Sequence, residues 1–286
     1  MTNNTNNTNN TNNAGNAGPS IDPGSEWTFP DRANLPLVDD PGMDGQPFPA
    51  GSYLDRYWSP IWFAWRVLPE YSRLPWVDQD PGAPVPIGDE LATLADYARF
   101  DRADAMDEIM AQKDEFVSQF MGLLMVTPSS HPNTYRVMHL ANLFAAFTVM
   151  YFKGVYKRVR PSQRLPKLRP PMQVPGHASY PSGHSTQAHL IALCTTVVLP
   201  ASTVTTNPPS LRTSLLGLAD RIAVNREIGG LHYPSDTAGG VTLATNIFNM
   251  IEADRAKPSP TNPPAAGQQV MPSYAVAITA AAGEWS

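Results

Sequence analysis

The sequence predicts an all-α fold, a helical bundle of about five or six helices. Three observations predict it. Apolar residues recur at helical spacing from residue 89 to about residue 255. No segment alternates apolar and polar residues as a half-buried strand does. No glycine-rich nucleotide loop marks a strand–turn–helix unit.

The elements follow in order. Residues 1–25 begin as repeated Asn-Asn-Thr, have little apolar surface to bury, and are expected to be a disordered tail. Residues 26–88 form a Pro- and Trp-rich extension. In it Trp58, Trp62 and Trp65 share a helical stripe, read as packing surface for the domain that follows. The helical catalytic domain is expected over 89–255. Asp89 is placed to cap a first helix with Leu91, Leu94, Ala95 and Ala98 on its apolar face. Ile109, Phe116, Phe120, Leu123 and Leu124 continue the stripe, with a break between. Pro128 and Pro132 bracket a loop. A long apolar helix is expected over 135–156, core on most faces. Pro161, Pro166, Pro170, Pro171 and Pro175 make the next stretch irregular. Buried helices are then expected over 185–199, 211–228 and 236–253, the last accommodating Gly239 and Gly240 through close packing. Residues 256–286 read as a Pro- and Ala-rich tail.

Composition narrows the function. The 286 residues carry a formal charge of -5, which disfavours a nucleic-acid surface. Cys194 is the only cysteine, so neither an intrachain disulfide nor a cysteine-based zinc site can form. No apolar run reaches spanning length; residues 137–152 are interrupted by His139, Asn142 and Thr148. With no visible signal peptide, a soluble, cytoplasmic protein is the expectation. The Trp-rich extension would cover a neighbouring subunit as readily as its own, so a homo-oligomer stays open.

Three motifs carry chemistry. Lys153 and Arg160 are seven apart and, on a continuous helix, would emerge on one face, a mobile point charge beside a planar fork. Ser182, Gly183 and His184 lie at the start of a predicted helix, where free N–H groups and the dipole favour an anion. There glycine permits close backbone approach, and His184 can donate a proton to a leaving oxygen. Arg226 adds a third cation. Asp236, four residues after His232, can orient that ring and leave its other nitrogen free to attack. Together these residues predict a site for a tetrahedral oxyanion. His139 and His189, in apolar helices, read as core histidines. Lys157, Arg158, Arg164, Lys167 and Arg169 are either steering charges or a solvated basic loop.

The order Lys-X6-Arg-Pro, Pro-Ser-Gly-His and Arg-X5-His-X3-Asp, over about residues 135–250, resembles the type-2 phosphatidic acid phosphatase superfamily. That superfamily includes acid phosphatases, lipid phosphatases and vanadium-dependent haloperoxidases. One departure is Asn225, where the third motif usually has serine, which puts a supporting contact in question. The resemblance implies that Lys153, Arg160, Arg226, the Ser182 hydroxyl and the Gly183 N–H hold the oxyanion, phosphate or vanadate. In a phosphatase, His232 would attack phosphorus, oriented by Asp236. His184 would protonate the leaving alcohol and then activate water. No cofactor is needed there, because three cationic side chains take a metal's part. In a haloperoxidase the pocket would hold vanadate, His232 would ligate the vanadium, and the substrates would be halide and peroxide. His177, seven before His184, resembles a histidine of bromoperoxidases and otherwise only shapes the pocket. With little sequence outside one bundle, phosphomonoester hydrolysis comes first, halide oxidation second, and non-catalytic phosphate binding third.

Overall fold

The structure, a computed structural model, describes residues 60–286 apart from 202, 204–209 and 262–264. The 1–25 tail, Trp58 and the side chain of Trp62 lie outside the described residues. Among these, no strand occurs and the elements are helical. They are α1 (Pro60–Tyr71), α2 (Glu90–Phe100), α3 (Arg102–Ala111), α4 (Val117–Leu123), α5 (Pro132–Tyr156), α6 (Pro161–Arg164), α7 (Gly183–Val198), α8 (Leu211–Ile228), α9 (Pro234–Arg255) and α10 (Pro272–Ala282).

Helix α7 is the centre of the bundle. Every residue from 185 to 196 is buried, which fits a helix apolar on all sides and surrounded by others. It packs against α5, α8 and α9. Ser182 caps it, its hydroxyl accepting from the Ser185 N–H. Helix α5 starts with Pro132 at a position where a missing N–H costs nothing. Its 25 residues bury Val137, Met138, Leu140, Ala141, Phe144 and Ala145.

The extension is part of the bundle. Tyr71 of α1 stacks on Phe144 with centroids 4.4 Å apart, and its hydroxyl meets Thr148 Oγ1 at 2.6 Å. Among the described side chains of α1, Ala64, Val67 and Tyr71 are buried, whereas Trp65 is 46% exposed. Asp89 precedes α2 but makes no side-chain cap. Leu91, Leu94, Ala95 and Ala98 do face inward, against Leu168 and Tyr233. Leu123, expected inside, is exposed.

The C-terminal segment is also more than a tail. Helix α10 packs on α5 and buries Tyr274, Ala277, Ile278 and Ala281. Its ends are tied by carboxylates. Asp254 accepts from the Val270 and Met271 N–H groups, and Glu284 caps α5 through Asn133 N (2.7 Å) and Thr134 N (2.8 Å). Alanine has the highest helix propensity, so this sequence needed only a surface to lie on.

Candidate active site

The site forms where the end of α5, the loop before α7, the end of α8 and the start of α9 meet. Lys153 lies in the last turn of α5, 2% exposed. The helix stops at Tyr156, and Lys157 takes a left-handed conformation (φ 49°). Arg160 is therefore not on the same helix face as Lys153. It precedes α6 in extended backbone and returns to the site from the loop. The two cations meet because the helix ends, not because it continues.

Lys153 Nζ donates to the carbonyls of Ala178 (3.0 Å), Ser179 (2.8 Å) and Pro181 (2.6 Å). Burial and the neighbouring Arg160 push its pKa well below the usual lysine range. Three carbonyl acceptors act in the opposite sense, since they can be served only by an ammonium with three N–H bonds. Lys153 thus shapes the loop that leads into Ser182. The Ser182 N–H donates to the Asp236 carbonyl at 2.9 Å, joining that loop to α9.

Helix α9 reaches close to this loop because of two glycines. A Cβ on Gly239 would lie 2.3 Å from the Tyr180 ring, and one on Gly240 would lie 2.8 Å from the Ser182 carbonyl oxygen. At Gly183 the contrast is clear. A Cβ there would meet only Gln187 Oε1, at an ordinary 3.7 Å.

His232 sits in the turn from α8 to α9, where Gly230 has φ +74°. Its Nδ1 is 3.1 Å from Asp236 Oδ2, and its Nε2 is 3.2 Å from Arg160 Nη1. The tautomer follows. Ionised Asp236 can only accept and Arg160 can only donate. Nδ1 therefore carries the proton, and Nε2 presents a lone pair. Burial, then the Arg160 charge, holds the His232 pKa well below the usual histidine range. Burial opposes the Asp236 charge, but hydrogen bonds from His232, Ser179 and the Tyr233 N–H outweigh it and bring the carboxyl to about 2.

Asp236 has a further anchor that the sequence did not reveal. Arg158 Nη1 donates to Asp236 Oδ1 at 2.7 Å, and Nη2 donates to Glu90 Oε2 at 2.9 Å. Arg158 is 8% exposed and lies over the Tyr233 ring. It is neither a steering charge nor a solvated one. Lys157, Arg164, Lys167 and Arg169 are exposed, as a basic loop would have them.

His184 follows Gly183 in the first turn of α7. Its Nε2 faces the carbonyls of Gln112 (3.1 Å) and Lys113 (3.2 Å). These acceptors take the proton of the neutral ring, so Nδ1 is the nitrogen able to accept another. Burial, the Arg226 charge and the Lys153 charge lower its pKa to about 3. In this arrangement His184 is a base at Nδ1, and it becomes a donor only after gaining a proton. Asn225, the departure noted in the third motif, donates to Gln112 Oε1 at 2.8 Å. It thereby fixes the turn that holds His184.

Arg226 enters from α8, 1% exposed. Its Nη2 donates to the Ile109 carbonyl at 2.6 Å, while its buried Nε has no hydrogen-bond partner. His177 is at the exposed edge, its Nδ1 3.1 Å from Arg160 Nη2. A groove of about 690 Å³ opens there, bordered by Met150, Gly154, Lys157, Val174 and Pro175 and reaching Lys153 and Arg160.

The fold thus joins Lys153, Arg160, Ser182, His232, Asp236 and His177 by direct bonds or through the loop, with Arg226 beside His184. His139 and His189 stand apart. His139 packs edge-on against Tyr135, and His189 bonds the Ser185 carbonyl and Asp220. Among the described residues no three His, Cys, Asp or Glu side chains converge to hold a metal ion, and no helix is long and apolar enough to cross a membrane.

The model of the PAP2 superfamily, a family of phosphatase-like function, matches residues 134–253, the segment that holds all three motifs. No curated protein matches the chain in sequence. The similarity to the PAP2 superfamily thus covers residues 134–253 of the chain.

Proposed function

We propose that the protein is a phosphatase that hydrolyses phosphate monoesters through a phosphohistidine on His232. The observation that carries this is the state of that ring: its proton sits on Nδ1 toward Asp236, and the Nε2 lone pair lies among cations. A phosphoryl group bound there would meet an unprotonated nitrogen nucleophile. Lys153, Arg160 and Arg226 would offset its charge, and the Arg226 Nε–H offers a buried donor in search of an acceptor. The absence of a side chain at residue 183 fits the same reading, because no protein atom demands glycine there. His184 would act as acid toward the leaving alcohol once a bound dianion raises its proton affinity, and then as base toward water.

A second reading has one observation in its favour. His177 touches Arg160, so it borders the oxyanion pocket, as the resemblance to bromoperoxidases implies. The donor set also fits vanadate. His232 Nε2 would be its ligand, Arg160, Arg226, Ser182 and Gly183 would hold its oxygens, and Lys153, its three N–H bonds given to backbone carbonyls, would offset its charge. Bound vanadate would itself supply the peroxide-activating chemistry, and the protein would hold and orient it. The third reading, a phosphate binder without turnover, uses the same donors.

The experiment is a paired assay of the full chain. p-Nitrophenyl phosphate hydrolysis is measured without added divalent metal, and bromide oxidation by peroxide is measured after loading with vanadate. Phosphate release, with vanadate only inhibiting, is expected. Bromination without hydrolysis would establish the second reading instead, and tight phosphate binding with neither activity would establish the third. His232→Ala should abolish turnover in either assay.

A further inference from the structure

Residues 79–89 run without helix across the face of the site and are tied to it along their length. Tyr156 donates its hydroxyl to Asp80, Tyr180 Oη donates to the Gly82 carbonyl (2.7 Å), and Arg158 Nη2 donates to the Val85 carbonyl (3.2 Å). The strap ends at Glu90, the first residue of α2. Glu90 lies outside the 134–253 segment that matches the family, yet its carboxylate reaches two groups that bear on Asp236. It accepts from Arg158 Nη2 (2.9 Å), and it accepts from the Ser235 N–H (2.6 Å) and hydroxyl (2.9 Å).

We infer that Glu90 and Arg158 form a positioning pair that fixes the Asp236 carboxylate, and through it the tautomer and orientation of His232. The proposal rests on the reading of His232 as the reacting residue. Arg158 is a fork with one prong on each carboxylate, and the Ser235 hydroxyl receives a bond from Nη1 at 2.6 Å. One oxygen of Asp236 is thereby occupied by Arg158. The other accepts from His232, from the Tyr233 N–H (3.0 Å) and from Ser179. Both oxygens are spoken for, so the carboxylate cannot rotate without losing charge-assisted bonds. Glu90 also meets the N-terminal turn of α9, where a carboxylate is favoured by the helix dipole. It therefore holds both Arg158 and the helix that carries Asp236. Arg158 alone would be a buried cation facing one carboxylate; Glu90 supplies the second contact that stops it from swinging away.

Other groups face the same ring, and the pair does not replace them. Arg160 and Lys153 lie on its Nε2 side, Ser179 lies near Nδ1, and Glu227 is close to Asp236. The pair controls the remote oxygen of Asp236, which none of these reaches.

The test compares Arg158→Met, Arg158→Lys and Glu90→Gln in the full chain. Two readouts are used. The first is the tautomer of His232 from ¹⁵N shifts of histidine-labelled protein at about pH 8, where imidazole is neutral. His232 is assigned by the loss of its signal in His232→Gln. The expected result is a single Nδ1–H tautomer in the wild type and a mixture in Arg158→Met, with Arg158→Lys closer to the wild type. The second readout is turnover, expected to fall about 10–100-fold in kcat with KM changed less than about threefold, as for loss of an orienting partner. Glu90→Gln keeps the acceptor for the Ser235 N–H and should give a smaller loss in the same direction; it also serves if Arg158→Met does not fold. An unchanged tautomer in folded Arg158→Met and Glu90→Gln would overturn the proposal. So would a loss of turnover that Arg158→Lys does not reduce. If the wild type turns over neither substrate, the functional reading fails, while the tautomer measurement still decides whether the pair orients the ring.

Discussion

At the scale of single residues, the site is governed by which groups can only accept and which can only donate. Asp236 and Arg160 bracket His232 and leave its ring one tautomer. Asp236→Asn tests this constraint. Asparagine offers one carbonyl oxygen where the carboxylate offers two acceptors. Arg158 demands an acceptor at the Oδ1 position. If the amide oxygen goes there, the NH₂ faces His232 Nδ1, which must then give up its proton. The proton moves to Nε2 and blocks the attacking nitrogen. Turnover should fall on the order of 10³–10⁴-fold, as for a triad histidine held in the wrong tautomer. A loss of less than about tenfold would show that His232 does not depend on this carboxylate. His232 and Asp236 were legible in the sequence because four residues separate them and a helix start brings them together. Arg158 was not, because its partner Glu90 is 68 positions away. A local reading sees a cation among cations and cannot see the carboxylate that makes it structural.

At the scale of elements, the helices were legible wherever local chemistry marks their ends. Helix α8 occupies Leu211–Ile228 as expected, with Ser210 capping it, and α7 lies within two residues of its expected span. The stop of α5 was expected, but not its consequence. A seven-residue spacing suggests one helical face, whereas the left-handed turn at Lys157 sends Arg160 back by another route. Helix α10 was missed for the opposite reason. Alanine carries little amphipathic signal, and the surface that stabilises this helix belongs chiefly to α5 and α7. Close approach in the site is also an element-scale fact: α9 meets the Ser182 loop through Gly240. A methyl group there would sit 2.7 Å from Ser185 Cβ. In Gly240→Ala either helix must move, at a cost of about 1–3 kcal/mol. The movement displaces Ser182, whose N–H is bonded to the Asp236 carbonyl on the same helix. Urea unfolding should show the loss of stability, and isothermal titration with inorganic phosphate should show weaker binding. Wild-type values for both would mean that the loop is more compliant than its packing suggests.

At the scale of the whole molecule, the fold buries ionisable groups whose preferences conflict, and pH decides between them. Burial lowers His139 and His184 to about 3. Between there and the ordinary histidine value the unfolded chain binds more protons. The stability that these residues contribute is therefore complete above about pH 6.5 and is lost as the pH falls toward 3. Glu227 behaves in the opposite way. Burial first, then the charges of Glu90 and Asp236, raise it to about 7, although Thr237 offsets part of the shift. Its contribution is complete below its ordinary value of 4.5 and is lost as the pH rises through 7. From 4.5 to 6.5 the histidines outnumber the single glutamate, so stability should climb with pH. Just above that range the Glu227 contribution is still being lost, which works against a further rise. Glu227→Gln isolates the second effect, because glutamine keeps the shape of the protonated acid without its ability to ionise. At about pH 4 the variant and the wild type should unfold at similar urea concentrations, since Glu227 is then largely neutral in both the folded and the unfolded chain. At about pH 8 the wild type carries a buried charge that the variant lacks, and the variant should be more stable by up to roughly 3 kcal/mol. Equal stability at the higher pH, or a variant less stable there, would mean that Glu227 is held charged by groups stronger than its burial.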